Sequence, residues 1–353
     1  MKNKTLKNIT SQRLFLPIFC LALVLLVNII TTPNFFSIEI RDGVLYGYMI
    51  DIINRASELV ILAVGMTLVV SSSAGTDISV GAIMAVSAAV CCNILTGGER
   101  AVTAYANPLI LGFIAALVVG AAIGCFNGFL VSKLNIQPMV ATLIMFTAGR
   151  GIAQLITDGQ ITYVRVDSYR VLGASFPGFP VPTPFIVAVL VVALTSLLLK
   201  KTALGMYIQS VGINKRASQL VGIKSVLIIF LTYAYCGLCS GLAGLIASSR
   251  IYSADANNIG LNLEMDAILA VALGGNALGG GKFSLMGSVI GAYTIQALTT
   301  VLYGLNVSAD QLPVYKAIVV VVIVVLQSPV FKKFIAVQKE KRTSKAAVKG
   351  GAN

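Results

Sequence analysis

The chain has 353 residues, of which 57% are hydrophobic and only 11% charged. A soluble domain carries roughly a quarter charged residues, so this composition cannot cover a water-exposed surface, and a bilayer is the implied solvent. The net charge of +13 would point to nucleic acid in a soluble protein, but its distribution here excludes that reading.

Lys2, Lys4, Lys7 and Arg13 precede the first apolar run. Lys200, Lys201, Lys215, Arg216 and Lys224 fill one internal loop. Lys332, Lys333, Lys339, Lys341, Arg342, Lys345 and Lys349 end the chain, with Glu340 the one acid in these three zones. This segregation is the positive-inside bias and puts both termini and the 200–224 loop in the cytoplasm. A short Lys-rich tail after a last span needs no partner beyond anionic lipid headgroups, and no nucleic acid is expected.

Crossing the hydrocarbon takes about 20 apolar residues. Candidate spans are 14–31, 58–73, 78–96, 108–131, 138–157, 183–199, 225–247, 265–280, 285–304 and 311–330. The sequence therefore predicts an all-α, polytopic membrane bundle of about ten helices, an even number that agrees with both termini being inside. The first run is too long and too marked by Pro and Asn for a cleaved signal, and no small-residue cleavage site follows it. Residues 44–57 alternate at helical spacing and read as a helix along the outer interface. The loops 97–107, 158–182 and 248–264 are expected outside, and Phe176–Pro184 as a rigid extended turn. No composition break divides residues 14–330, which read as one membrane unit between a cytoplasmic N-terminus, 1–13, and a basic cytoplasmic tail, 331–353, expected to be disordered.

Gly120, Gly124 and Gly128 form a stripe, as do Gly237 with Gly241 and Gly287 with Gly291. Small faces let helix backbones approach closely in lipid and predict a tight bundle. The six cysteines all lie in apolar runs, so no disulfide framework is implied. Cys236-x-x-Cys239 reads as two small apolar residues on one helix face, and with no histidine in the chain a metal site is not expected.

Ser71-Ser-Ser-Ala-Gly-Thr-Asp-Ile-Ser79 interrupts an apolar region. Irregular polar backbone cannot face lipid, so this stretch is covered by protein or lines water, and Ser73, Gly75, Asp77 and Ser79, together with Asn127, Arg150, Gln154 and Asn276 farther along the chain, are candidates for a gate or translocation path. Asp77 itself reads as an N-cap of the following helix, which sets it beside an inner gate. Asn127, in the glycine stripe, reads as an interhelical hydrogen-bonding residue, with a cavity wall as the other reading. Arg150 and Gln154 lie one turn apart within a span. Pairing inside the bundle and lining a cavity are both open for Arg150, whereas Lys316 sits near the outer end and can snorkel. Gly274-Gly-Asn276-Ala-Leu-Gly-Gly-Gly-Lys282 fails the spacing of a phosphate loop, since Phe283 stands where a hydroxyl is needed. It reads as a broken helix or tight cytoplasmic turn containing Asn276.

In the 200–224 loop, Asn214 is expected to cap a short helix, Lys215 to Val221, stopped by Gly222. Ala217, Leu220 and Val221 share one face. Two turns are not stable alone, and the apolar face in a loop with no acid reads as a docking element.

Several runs carry a resemblance: Gly65-Met-Thr-Leu-Val through Asp77-Ile-Ser-Val-Gly81; Asn127-Gly128; Gln137-Pro-Met-Val-Ala-Thr-Leu; Ala148-Gly-Arg-Gly-Ile-Ala-Gln; Lys201-Thr-Ala-Leu-Gly-Met with Gly212-Ile-Asn; Asp255-Ala-Asn-Asn; and Leu263-Glu-Met-Asp-Ala-Ile. In this order, over about 44–330, the chain resembles the permease subunits of monosaccharide ABC importers, in the ribose/arabinose/galactose branch and most like its galactofuranose permeases. The resemblance implies a type II importer fold, a second permease subunit of the same or a different kind, a cytoplasmic ABC ATPase that binds the ATP and Mg, an extracytoplasmic sugar-binding protein, and no cofactor in this chain. It implies that Gly212, Asn214, Lys215, Arg216, Ala217, Leu220, Val221 and Gly222 form the coupling helix that docks on the ATPase. The chain departs from the family pattern at Ala74, where a second glycine is common, and at Ser218, where alanine is common. The expected activity is alternating-access import of a monosaccharide, with sugar recognition left to the binding protein because this chain has no Trp. An ion-coupled transporter would want an acidic or His relay that Asp77 alone does not supply. A channel or a membrane enzyme is the other alternative, and no nucleophile–base pair supports the latter.

Overall fold

The structure is a computed structural model that describes residues 14–32, 34–41 and 44–327; the expected N-terminal segment 1–13 and basic tail 331–353 lie outside them. Helix α1 spans Phe15–Thr31, followed by a hairpin of β1 (Glu39–Arg41) and β2 (Val44–Tyr46). Helix α2 then runs unbroken over 26 residues, Tyr48–Ser73. The expected interfacial helix at 44–57 is therefore corrected: from Tyr48 onward it is the first part of α2. The reason is burial. Every residue from Ala56 to Ser72 is buried, and a helix that is apolar nearly all round belongs inside a bundle.

Helix α3 (Val80–Thr96) follows, then α4 (Leu109–Ser132) and α5 (Pro138–Ile156), the last with proline in its first turn, where its missing N–H costs nothing. After α6 (Asp167–Arg170) and α7 (Thr183–Lys201), the 200–224 segment holds two helices, α8 (Leu204–Ile213) and α9 (Lys215–Leu220). The longest helix, α10, covers the 27 residues Ser225–Ile251, and α11 (Leu263–Leu273), α12 (Leu285–Gly304) and α13 (Leu312–Gln327) complete the described chain. The short strands β3 (Ala101–Val102), β4 (Thr162–Val164) and β5 (Ser253–Ala254) form one sheet at the end of the bundle away from the lysine-rich helices.

Among the described residues, six helices are long and apolar enough to cross a bilayer: α2, α4, α5, α7, α10 and α12. The expected span 265–280 instead stops at Leu273 after 11 residues, because Gly274 to Gly281 cannot hold a helix; at 1.5 Å per residue, α11 covers about 16 Å of a roughly 30 Å hydrocarbon layer. The loop expected at 248–264 is in part helix, α10 running to Ile251, and in part buried. Ser253, Ala254, Ala256, Ile259 and Gly260 are buried, so this segment folds back into the bundle.

The glycine stripes pack as expected. A Cβ on Gly124 would overlap the carbonyl oxygen of Tyr233 and lie 3.0 Å from Cα of Gly237, so α4 and α10 touch backbone to backbone. On its other side α4 exposes Ile110, Leu111, Ile114, Val118, Phe126 and Phe129, the surface lipid solvates. Cys236 and Cys239 are buried against Gly65 of α2. Among the described residues, two ion pairs lie inside the bundle. Arg250 Nη1 meets Glu58 Oε1 at 2.9 Å, and Lys316 Nζ meets Asp266 Oδ2 at 2.7 Å. The expectation that Lys316 snorkels is thus overturned: a carboxylate on α11 reaches it first.

Candidate functional site

At the lysine-rich end, α2 unwinds. Ala74 adopts a left-handed conformation (φ 54°) as its C-cap, and the chain stays non-helical until Val80. Asp77 is fully buried in this break. Its Oδ1 accepts from the Ser79 backbone N–H (2.9 Å) and from Ser79 Oγ (2.6 Å). Asp77 is therefore not the N-cap expected from sequence. Ser79 occupies that position, and the carboxylate fixes the turn before it. Asn127 Nδ2 donates to Ser79 Oγ at 2.8 Å, linking α4 to the same turn. Ser73 Oγ donates to the Val69 carbonyl (2.9 Å) and lies 3.4 Å from Tyr233 Oη. Gly75 is pressed against Pro138. Ser73, Gly75, Asp77, Ser79 and Asn127 thus form one cluster. Asp77 Oδ2 and Asn127 Oδ1 are buried in it with no hydrogen-bond partner among the described residues.

Asn276 sits in the glycine-rich turn, bound on both ends of its amide. Its Nδ2 donates to Ser288 Oγ (2.8 Å) and to the carbonyls of Val271 (3.2 Å) and Ser284 (3.3 Å), while Oδ1 accepts from the Ser284 N–H (2.6 Å). Ser288 in turn accepts from Thr67 of α2 at 2.6 Å. Asn276 is a clasp for the turn, and the turn reaches the break: the Gly281 N–H donates to the Ser71 carbonyl at 2.9 Å. Gly212, at the end of α8, packs on the same two groups, and a Cβ there would overlap the Ser71 carbonyl oxygen. Three elements therefore meet at the end of α2 with only backbone between them.

Beyond Gly212 the chain turns into α9. Asn214 Oδ1 accepts from the Ala217 N–H at 3.0 Å, the cap its position predicts, and Gly222 has φ 85° just past the end. Ser218 is buried, Lys215 half-buried, and Arg216 and Ala217 exposed. Leu220 and Val221 are 89% and 75% exposed, and Ile213 is 66% exposed. Lys215 Nζ donates to Asn135 Oδ1 in the α4–α5 turn at 2.7 Å. Between α9 and the break lies an open cavity of about 320 Å³ lined in part by Ser72, Ser73, Asn135, Gln137 and Lys215.

Arg150 and Gln154 are not in this cluster. Arg150 Nη1 donates to the carbonyls of Ile259 (2.5 Å) and Ala256 (3.0 Å), and Gln154 Nε2 to Asn257 Oδ1 (2.6 Å). They hold the partly buried 253–262 segment, and Arg150 does so by bonding to its backbone carbonyls. Sequence reasoning missed Thr142, whose Oγ1 accepts from the Ile78 N–H at 3.1 Å. It also missed Glu264, buried against Gly81 and Gly260. The polar run Asp255-Ala-Asn-Asn was the available signal. It interrupts an apolar chain as 71–79 does.

The family model described as "Branched-chain amino acid transport system / permease component" matches residues 48–327. The chain is 45% identical to the galactofuranose transporter permease protein YtfT of Escherichia coli (strain K12), across 92% of this chain and 91% of that protein. It is 40% identical to the fructose import permease protein FruF of Bifidobacterium longum (strain NCC 2705), across 99% and 97%. It is 36% identical to the ribose import permease protein RbsC of Escherichia coli (strain K12), across 87% and 92%. No solved structure matches the chain. With the matched region running from the first residue of α2 to the last of α13, the protein belongs to the permease component family of these transport systems and is a multi-pass transport subunit of the inner membrane.

Proposed function

We propose that this chain is the permease subunit of an ATP-driven monosaccharide importer, and that α9 with its flanks, Gly212 to Gly222, is its coupling helix. The observation that carries the reading is the pair Leu220 and Val221, the most exposed large apolar side chains of the 200–224 segment, standing among five cations and no acid. An apolar face at a basic, water-facing end suits a protein partner. A groove on the separate ATPase, which binds ATP and Mg, is that partner. The positive-inside bias sets this end, and both termini, in the cytoplasm. The domain layout follows: one membrane unit over 14–330, a coupling segment at 200–224 and a basic tail.

The geometry supplies a route from docking to gate. A displacement of α9 acts on the Ser71 carbonyl through Gly212 and on the α4–α5 turn through Lys215 and Asn135. Both contacts border the 74–79 break, whose residues Ser73, Gly75, Asp77 and Ser79, with Asn127, form the inner gate. Asn276 fixes the turn that braces it. The proposed cargo is a monosaccharide, of the galactofuranose/galactose, ribose or arabinose kind; the relatives are named for galactofuranose, fructose and ribose, which supports a monosaccharide. A second permease subunit and an outer sugar-binding protein complete the importer. The ion-driven alternative has no support among these relatives.

The test is reconstitution in proteoliposomes with a partner ABC ATPase and a sugar-binding protein from the same source. ATP-dependent uptake of labelled sugar is expected, and the double substitution Leu220→Asp, Val221→Asp is expected to abolish ATPase association in a pull-down. Uptake that survives removal of the ATPase, or ATPase association unaffected by the double substitution, refutes the reading.

A further inference from the structure

The chain interrupts a long helix twice, in opposite directions. α2 ends at Ala74 (φ 54°) and restarts as α3; α10 ends at Tyr252 (φ 55°) and restarts as α11. The two long helices are antiparallel neighbours, with Ser72 against Thr232 near one end and Glu58 against Arg250 near the other. In each break an aspartate sets the turn from the same position. Asp77 Oδ1 accepts from the N–H two residues on (2.9 Å), and Asp255 Oδ1 does the same with Asn257 (3.0 Å). The restarted α3 packs against the second break inside the bundle, where a Cβ on Gly81 would overlap the carbonyl oxygen of Gly260.

One helix touches both breaks. The first turns of α5 hold the 74–79 break, through Pro138 against Gly75 and Thr142 on the Ile78 N–H. Its last turns hold the 253–262 break, through Arg150 on Ala256 and Ile259 and Gln154 on Asn257. Between these grips Gly149 lies against Ala82 of α3. From Thr142 to Arg150 the helix rises about 12 Å, over which a hydrogen-bonded helix behaves as a rod. Motion at one break is therefore imposed on the other for as long as the grips hold.

Arg150 is the strongest outer grip, and it is only partly engaged. Among the described residues its Nη2 and Glu264 Oε2 are both buried without a hydrogen-bond partner. The two groups lie within electrostatic reach of each other. We propose that Arg150 is a positioning residue that makes the two breaks move as one body, with α5 as the strap between the gates on the two sides of the membrane. This rests on the permease reading above, in which the 74–79 break is the inner gate.

The experiment uses the complete reconstituted importer and measures sugar taken up per ATP hydrolysed, together with the unfolding temperature of each variant. Arg150→Gln is expected to leave hydrolysis within twofold of the unsubstituted protein while uptake per ATP falls at least tenfold, because the inner gate still answers the ATPase and the outer break no longer follows. Arg150→Lys, which can still donate to one carbonyl, is expected to recover part of the ratio. Gln154→Ala, which trims the same grip without disturbing the buried cation, is expected to lower it about threefold and keeps the test open if Arg150→Gln does not fold. An unchanged ratio in Arg150→Gln and Gln154→Ala, or uptake and hydrolysis falling in equal proportion with the unfolding temperature, overturns the proposal. Absence of ATP-driven uptake by the unsubstituted protein overturns the permease reading itself.

Discussion

The 74–79 break and the short helix α9 both interrupt apolar sequence, yet they are built in opposite ways. The break is a polar segment sunk in the bundle, in which Asp77, Ser79 and Asn127 are fully buried and bonded to one another. α9 is a short helix at the surface whose apolar side chains, Leu220 and Val221, are 89% and 75% exposed among the described residues. Burial makes each polar group in the first costly to disturb. Exposure makes the second cheap to change for folding and leaves its value to a partner. Stability and function should therefore respond to substitution in opposite order at the two places.

The largest loss of stability is expected where the two regions touch. Gly212→Val forces a side chain onto the Ser71 carbonyl and Gly281 N–H, neither of which can yield without moving a helix end. A cost of about 3 kcal/mol, the upper range for overpacking, should appear as a strongly lowered unfolding temperature in detergent. A little less is expected from Asn276→Leu, which keeps the volume but strands the Ser284 N–H. An unmet buried group costs about 1–3 kcal/mol, and chemical denaturation would measure it. Ala74→Gly is expected to act the other way. Ala74 holds a left-handed conformation that costs a non-glycine residue about 1–2 kcal/mol, so a gain of up to about 1 kcal/mol should show as a raised midpoint. Leu220→Ser should shift stability by no more than about 0.5 kcal/mol, as surface changes usually do, while weakening ATPase association. Equal destabilisation by Leu220→Ser and Asn276→Leu would erase the contrast between α9 and the break.

Much of α9 was legible because its signals are local. A capping Asn, two turns and a terminal Gly lie within nine residues, and the observed cap, Asn214 to the Ala217 N–H, is the one that spacing predicts. The preceding helix α8 was not foreseen, because Thr202 to Ile213 carries no charge to mark an exposed face and reads as loop between lysines. Ser73, Asp77 and Ser79 were legible as a polar interruption and Asn127 as an interhelical hydrogen-bonding residue, but that they meet, and the role of the acid, were not. Whether Asp77 caps a helix or fixes the turn before it depends on where α3 starts, and that is set by contact with Gly260 and Thr142 far along the chain. Arg150 and Gln154 were legible only as polar residues in a span. Their partners, 106 and 103 residues away, carry no local mark.

Composition, charge placement and the spacing of apolar runs by themselves determined that this is a lipid-solvated helical bundle with a basic end and a capped short helix there, because each of these follows from solvent and from contacts within a few residues. Only the tertiary structure decided that the 253–262 segment folds inward, that Lys316 is paired with Asp266, and that α5 grips both helix breaks. Those outcomes depend on which backbone groups approach one another after the glycine faces close, and a linear pattern does not encode that proximity.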